Sequence, residues 1–379
     1  MVTTGEFDEL IEVLRDFIRR EVMPAEAGID ESDEIPDRLI TQAKEMGLYG
    51  YALPGEFGGL GLSVEQQVLL TMELGYTSPA FRSLFGTNNG IAGQVLVLAG
   101  TEEQRKHWLP RLASGEVVAS FALTEPDAGS DPSRLVTSAV PDGDGWVIDG
   151  LKRYITNAPA ADVFMVFART DPQAPPGKGI GVFIVPARLD GVSVAAPDHK
   201  MGQAGAWTAD VAFSGVRVPG DALVGEAAAA GYATAMRSLA HGRLIIAAMC
   251  TGVMARLIDE SVTFAGERSQ GGRPIADYQL IQAMLADSQT EYMAARALVL
   301  DAAARYDAGT DRRLAPSAAK YFASEAVGRI ADRAVQIHGG SGYMRGVPVE
   351  RLYRDVRLFR IYEGTSQIQQ LVIAREMLR

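Results

Sequence analysis

Arg360-Ile361-Tyr362-Glu363-Gly364-Thr365-Ser366-Gln367-Ile368-Gln369, close to the C-terminus, sets one carboxylate, Glu363, just ahead of a Gly-Thr pair that can start a helix. Thr365 reads as the N-cap. Ile368, Leu371, Val372 and Met377 supply an apolar stripe for a terminal helix running to about Leu378. A carboxylate fixed at such a junction is rigidly presented, which a general base needs. By itself the segment reads more simply as a solvated loop glutamate. Only the rest of the chain changes that reading.

Upstream, residues 234–268, 275–306 and 315–337 are long segments of helical periodicity, each broken by Gly, Pro or a polar cluster. With the terminal helix they can form a four-helix bundle. Before them the character differs: residues 135–140, 146–149, 163–170, 181–185 and 210–218 are short β-prone runs separated by Gly, Pro and Asp. Asp142-Gly143-Asp144-Gly145 is a hairpin turn signal. Near the N-terminus, Phe7, Leu10, Ile11, Leu14, Phe17 and Ile18 recur at helical spacing. Ile40, Ala43, Met46 and Leu48 suggest a second helix, ended by the glycine-rich residues 54–61. Residues 64–74, 91–98 and 102–112 read as further helices. The expected architecture is a multi-domain α+β fold: an N-terminal α-helical domain (1–120), a middle β-barrel-like domain (121–230) and a C-terminal four-helix bundle (231–379).

The 379 residues are 47% hydrophobic, enough for two or three domains. A net charge of −11 argues against a nucleic-acid or anionic-membrane partner. Cys250 is the sole cysteine, so no internal disulfide exists and a reducing compartment is natural. It lies in the apolar run 244–253, where a buried, inert thiol is expected. The chain opens Met-Val-Thr-Thr-Gly-Glu, without a basic and apolar leader, and no apolar run reads as long enough to span a bilayer. The expectation is a cytoplasmic protein with no metal site.

No G-x-G-x-x-G opens a helix after a strand, and there is no P-loop. A dinucleotide would have to be held by backbone amides and hydroxyls from several segments. Phe121-Ala122-Leu123-Thr124-Glu125-Pro126-Asp127-Ala128-Gly129-Ser130-Asp131 suits that, because its small residues let a backbone approach a ring or phosphate closely. It also describes an ordinary strand-to-loop turn. A third segment is Gln336-Ile337-His338-Gly339-Gly340-Ser341-Gly342-Tyr343. Together and in this order, the three resemble the acyl-CoA dehydrogenase family of flavoenzymes over nearly the whole chain.

The resemblance implies FAD. Positions matching Phe121, Leu123, Thr124, Gly129 and Ser130 line the flavin in the family, as do those matching Tyr154 and Thr156. Positions matching Thr365 and Gln367 also touch it. A neighbouring subunit holds the adenosine-diphosphate half through positions matching Arg268, Gln279, Gln336 and Gly340. An arginine facing a pyrophosphate is physically sensible, since a guanidinium makes paired charge-assisted hydrogen bonds. Cofactor binding then implies a homo-oligomer, a tetramer of paired dimers. Ser130, Tyr232, Arg243 and Gly364 are the implied contacts to an acyl-CoA thioester, and an electron-transfer flavoprotein is the implied electron acceptor.

By the same resemblance, Glu363 takes the α proton and flavin N5 the β hydride, giving a trans-2-enoyl thioester. The Glu363 amide and a ribityl hydroxyl would form the oxyanion site. Desolvation beneath an acyl chain should raise the Glu363 pKa. Glu125, held in Thr-Glu-Pro, is given a structural role. His241-Gly242-Arg243 offers no carboxylate for the branches that carry their base there, and His241 itself reads as packing or surface. Ala240 stands where many members have an aspartate that helps bind CoA, which keeps an acyl-carrier thioester open. Gly271 replaces the usual phenylalanine and removes an aromatic contact to the partner subunit's flavin. An acyl-CoA oxidase and a flavin monooxygenase share the fold, although a monooxygenase would not need Glu363. By family analogy, residues 84–100, with Leu84, Phe85, Asn88, Asn89 and Ile91 among them, belong to the wall of the acyl pocket.

Overall fold

A computed structural model describes residues 3–379; Met1 and Val2, the first residues read for a leader, lie outside the described residues. The chain opens with α1 (Thr4–Phe17), started by a reciprocal capping box between Thr3 and Glu6. A π-helical turn (Ile18–Val22) leads to α2 (Met23–Ser32), then α3 (Asp37–Glu45), α4 (Val64–Leu74), α5 (Pro79–Asn89), α6 (Ile91–Ala99) and α7 (Glu102–Ala113). The helix read around Ile40 stops at Glu45, before Met46 and well short of the glycine-rich turn. Helix α5 is absent from the sequence reading. Ser78 caps it and Pro79 opens it, but Gly86 and the polar pair Asn88-Asn89 obscure its periodicity.

The middle of the chain is one curled sheet of β1 (Ala119–Ala122), β2 (Ser138–Asp142), β3 (Gly145–Thr156), β4 (Val163–Arg169), β5 (Ile180–Pro186), β6 (Val192–Val194) and β7 (Thr208–Pro219). β4 pairs with β5 on one side. On its other side it meets β1 in parallel from Ala119↔Val163 to Ala122↔Val166, then β2 at Ser138↔Arg169. β1 and β2 therefore lie end to end beside β4, and the chain between them loops out of the sheet. β2 turns into β3 through Gly143 and Asp144, as the turn signal indicated. Two register shifts in the β3–β7 ladder bend the sheet. Alternation along β4 divides the core: Val163, Met165 and Phe167 face helices α6 and α7, whereas Phe164, Val166 and Ala168 face β7.

The remainder is α8 (Gly231–Glu267), a short ribbon of β8 (Ser269–Gln270) and β9 (Arg273–Pro274), α9 (Gln279–Asp307), α10 (Leu314–His338), α11 (Pro348–Val356) and α12 (Ser366–Met377). α8 packs against α4, α9 and α10, and α12 lies on α10. From Arg243 to Met254 every residue of α8 is buried, so it is the central helix of the bundle. Contrary to the sequence expectation, α8 is long and apolar enough to cross a bilayer, but that stretch is enclosed by the other helices. The apolar stripe read on α12 is also corrected. Leu371 and Met377 are 50% and 72% exposed, while Ser366 and Gln369 are buried.

Candidate active site

Where β1 ends, Leu123 and Thr124 leave the sheet and Glu125 turns inward. Lys152 of β3 donates to Glu125 Oε1 (2.8 Å), to Leu123 O (3.2 Å) and to Phe167 O (2.7 Å). The Glu125 carboxylate also accepts the amides of Val136 (2.6 Å) and Thr137 (2.9 Å). Burial alone would raise the Glu125 pKa, but the ammonium and these donors hold it below the ordinary range. Glu125 therefore fastens both ends of the loop and has no freedom to act as a base. The loop presents Gly129, around whose absent Cβ nothing lies within 4 Å, and Ser130. Thr124 uses its carbonyl to accept from Arg153 N (2.8 Å), and Thr156 uses its carbonyl to accept from Ser120 Oγ (2.7 Å). Both threonine hydroxyls stay uncommitted among the described residues.

Glu363 faces this edge from the other side. It adopts φ 55°, and Gly364 follows at φ 89°. The left-handed conformation costs a non-glycine residue about 1–2 kcal/mol, so the surroundings must hold it. They do: Lys320 Nζ of α10 donates to Gly364 O (2.7 Å), and the buried Gln369 donates to Gly364 O (2.9 Å) and Glu363 O (3.1 Å). Thr365 caps α12 by accepting from Ile368 N (3.3 Å), as read from the sequence. The Glu363 N–H donates to no acceptor among the described residues. Glu363 as a residue is half-buried, yet its Oε2 is fully enclosed and without a partner. Behind it lies Gly242 of α8, where a Cβ would come within 2.5 Å of that oxygen. Burial drives the Glu363 pKa up to about 7, against the opposing pull of Arg82, Arg243 and Lys320.

Between these walls is a cavity of about 220 Å³. It brings together Phe121, Leu123, Thr124, Gly129, Ser130, Tyr154, Thr156, Arg243, Glu363 and Gly364, all expected there. Sequence reasoning missed Arg82 of α5 and the floor of Met236, Leu239 and Ile246 on α8. It also missed Lys320 and Gln369, which hold the Glu363 turn. Of the expected wall at 84–100, Gly86, Thr87 and Ile91 line the cavity. Leu84 and Phe85 pack in the helical core. Asn88 bonds the backbone at Leu112, Val117 and Ala119, and Asn89 that at Leu48, Ala52 and Phe85.

Arg243 is buried, donates to Ser317 Oγ (3.2 Å) and leaves Nε without a partner. Tyr232 lies one turn before Met236 and packs into the apolar cluster beneath β4 without lining the cavity. Gln367 is exposed on α12. His241 points away, sharing a 2.7 Å hydrogen bond with Gln67, and burial pushes its pKa down to about 4. Cys250 is fully buried, and that burial pushes its thiol pKa up.

The other expected cofactor residues gather elsewhere. Arg268 follows the last turn of α8, about 37 Å along the helix from Arg243 at 1.5 Å per residue. Gln279 opens α9, Gln336 lies in the last turn of α10, and Gly340 lies in the 3-10 turn (Gly339–Tyr343) that follows it. Phe264 stacks on His338 with ring centroids 4.2 Å apart, tying these ends together. Arg268, Gln279, Gln336 and Gly340 are all exposed there, and the fold of one chain does not bring them to the cavity. Gly271 (φ 61°) and Gly272 (φ 82°) form the tight turn of the β8–β9 ribbon. A side chain at 271 would be strained and would meet the Tyr278 hydroxyl at 2.7 Å, so the missing aromatic residue follows from the turn. No cluster of three metal-ligating side chains occurs among the described residues.

Comparison with known proteins gives matches along the whole chain. Residues 4–116 match the acyl-CoA dehydrogenase N-terminal domain, residues 120–216 the middle domain and residues 229–378 the C-terminal domain. Subunit CarC of the caffeyl-CoA reductase–Etf complex of Acetobacterium woodii is 39% identical over 96% of both chains. An acyl-CoA dehydrogenase of Bacillus subtilis is 38% identical over 100% of this chain and 99% of its own. Among solved structures, butyryl-CoA dehydrogenase from Megasphaera elsdenii superposes with a TM-score of 0.95 at 30% identity, covering 100% of each chain.

Proposed function

The chain belongs to the acyl-CoA dehydrogenase family, and from that premise we propose that its cavity carries out α,β-dehydrogenation of an acyl-CoA thioester with Glu363 as the base. The observation that carries this reading is the enclosed, unpartnered Glu363 Oε2, beside its own free N–H and across from a strand edge of small and hydroxyl-bearing residues. Of the other readings, the carrier-protein dehydrogenase, the oxidase and the monooxygenase are not favoured by the relatives. A purely structural protein has no use for a strained glutamate pressed against a glycine.

The lining fits FAD. Gly129 leaves open space for close approach, the hydroxyls of Thr124 and Thr156 are free, and Phe121, Leu123 and Tyr154 supply apolar and aromatic surface. These residues, with Ser130, would hold the ring. Thr365 and Gln367, adjoining Glu363 on α12, would complete that edge. When bound, FAD supplies the two-electron oxidant that accepts a hydride from the β-carbon.

The chain's own residues do the rest. Glu363 accepts the α proton at a carboxylate oxygen, and a pKa near 7 makes it a stronger base than an ordinary glutamate at neutral pH. The Glu363 N–H lies beside that oxygen and would stabilise charge growing on the thioester carbonyl. Met236, Leu239 and Ile246 exclude water from beneath the acyl chain. Arg243, with Tyr232 and Ser130, would receive the thioester arm.

At the far end of the bundle, Arg268, Gln279, Gln336 and Gly340 would complete the FAD site of a neighbouring copy in a homotetramer. Exposed Leu280, Met293, Tyr343, Leu371 and Leu378 support such an interface. An electron-transfer flavoprotein is the proposed electron acceptor, supported by CarC's place in an Etf complex. The proposed setting is cytoplasmic fatty-acid metabolism. The test is anaerobic mixing of the FAD-loaded protein with a panel of acyl-CoA thioesters while flavin absorbance is followed. Bleaching by at least one of them is expected, and a flavin that stays oxidised with all of them refutes the reading.

A further inference from the structure

Lys320 and Gln369 hold the Glu363 turn at its centre, but its two ends are joined by another side chain of α10. Glu325 lies five residues beyond Lys320 on that helix and does not line the cavity. Its Oε1 accepts from Ser366 Oγ (2.6 Å), three residues after Glu363. Its Oε2 lies 3.2 Å from Nε of Arg360, three residues before Glu363, as an ion pair whose angle falls outside hydrogen-bond geometry. Arg360 directs its hydrogen bond to the Glu325 backbone instead, with Nη2 donating to the carbonyl (3.2 Å). The seat of the guanidinium is built. A Cβ on Gly328, one turn further along α10, would overlap Arg360 Nη2 and Cζ, so the glycine keeps that space open. Between the two clamped ends, residues 361–365 belong to no helix or strand.

A turn without a backbone ladder relaxes when its ends can part, and the left-handed pair Glu363-Gly364 has strain to release. One carboxylate that receives both ends removes that freedom. Resting on the dehydrogenase reading above, we infer that Glu325 is a positioning residue, which fixes where the Glu363 carboxylate meets the α-carbon by tying Arg360 to Ser366. Glu325 and Arg360 are both partly exposed, and an ion pair of that kind adds little to folding. A shift of about 1 Å in a reacting group, by contrast, costs about 100-fold in rate. The signature of Glu325 is therefore a loss of rate out of proportion to any loss of stability. It touches neither substrate nor cavity, and Glu363 remains the base.

The test uses the FAD-loaded enzyme with an acyl-CoA that reduces the wild-type flavin. The limiting rate of anaerobic flavin reduction, the thioester Kd from its concentration dependence, and Tm are measured at equal FAD content. Glu325→Ala should lower the limiting rate by about 10- to 100-fold while Kd stays within about three-fold. Glu325→Gln keeps an acceptor for Ser366 and should recover part of that loss. Ser366→Ala should also slow reduction, and should add little in the Glu325→Ala background, because both remove the same link. Glu291→Ala is the matched control. Glu291 likewise receives two arginines of α10, Arg329 (2.7 Å) and Arg333 (2.9 Å), without reaching the Glu363 turn, so its removal should leave the rate at the wild-type value. A Glu325→Ala limiting rate within about three-fold of wild type overturns the inference, as does an equal slowing in Glu291→Ala, which would mark a general loosening of α10. If Glu325→Ala fails to hold FAD, Ser366→Ala decides by the same three-fold rule, applied to the same rate. Each of these results leaves the dehydrogenase reading standing, whereas failure of every thioester to reduce the wild-type flavin removes that reading and this inference with it.

Discussion

Gly242→Ala tests the fit between Glu363 and α8 with the smallest change a side chain allows. The added Cβ would lie 2.5 Å from Glu363 Oε2, 2.9 Å from Cδ and 3.0 Å from Oε1. Ordinary contact begins at 3.4 Å, so the carboxylate must retreat by about 0.9 Å. The helix cannot yield instead, because α8 is enclosed on every side at this level. A displacement of that size in a reacting group costs about 100-fold in rate. Overpacking costs about 1–3 kcal/mol, partly offset by the roughly 1 kcal/mol that alanine gains over glycine in a helix. Folding and FAD content should therefore survive while catalysis does not. Gly266→Ala is the matched control: it lies on the same helix, is exposed, and has nothing within 4 Å of its Cβ position. The assay is anaerobic flavin reduction by a reactive thioester at equal FAD content. Gly242→Ala should fall about 100-fold and Gly266→Ala should match the wild type. A Gly242→Ala enzyme within about three-fold of the wild type would show that the contact with Glu363 is irrelevant to the chemistry.

Three further outcomes are expected. Folded Glu363 keeps a proton up to about pH 7 that an ordinary carboxyl releases near 4.5, so its contribution to stability, present below about 4.5, is lost as the pH rises through about 7. Compared with wild type, Glu363→Gln should gain Tm at about pH 8 and not at about pH 4.5; equal shifts at both would contradict the raised pKa. Lys152→Met leaves Glu125 buried without its counter-charge and should cost about 3–5 kcal/mol in chemical denaturation, together with FAD retention, whereas a loss below about 1 kcal/mol would mean that the pair does not hold the loop. Arg268→Ala should lower FAD occupancy and favour smaller species in sedimentation, and a monomer that keeps its full FAD would refute the shared site.

Local signals in the sequence translated well. The hairpin at 142–145 was legible because two consecutive turn residues leave few alternatives, and the start of α12 because Thr365 is a cap by chemistry. The carboxylate was legible only through three segments taken together, because by itself Glu363 reads as a solvated loop residue. What escaped depended on contacts distant along the chain. Lys320 sits in an alanine-rich helix and reads as a surface lysine until α10 brings it 2.7 Å from Gly364 O, 44 residues later. Gln369 looked like an interruption of an apolar stripe, whereas it is the buried residue and Leu371 the exposed one. Arg82 was out of reach because α5 itself was missed, its pattern broken by the glycine that accommodates the guanidinium. α8 passed unremarked as a spanning candidate because scattered glycines and arginines interrupt its apolar runs.

The central claim is that Glu363 removes the α proton. Glu363→Gln keeps the shape of the side chain and the adjacent N–H, and it does not alter the proposed flavin contacts. The protein should therefore stay yellow and still bind thioester, while proton acceptance is abolished. Anaerobic flavin reduction by a good substrate, compared with wild type at equal FAD content, should slow by about two to four orders of magnitude. Bleaching within a few-fold of wild type would contradict the assignment.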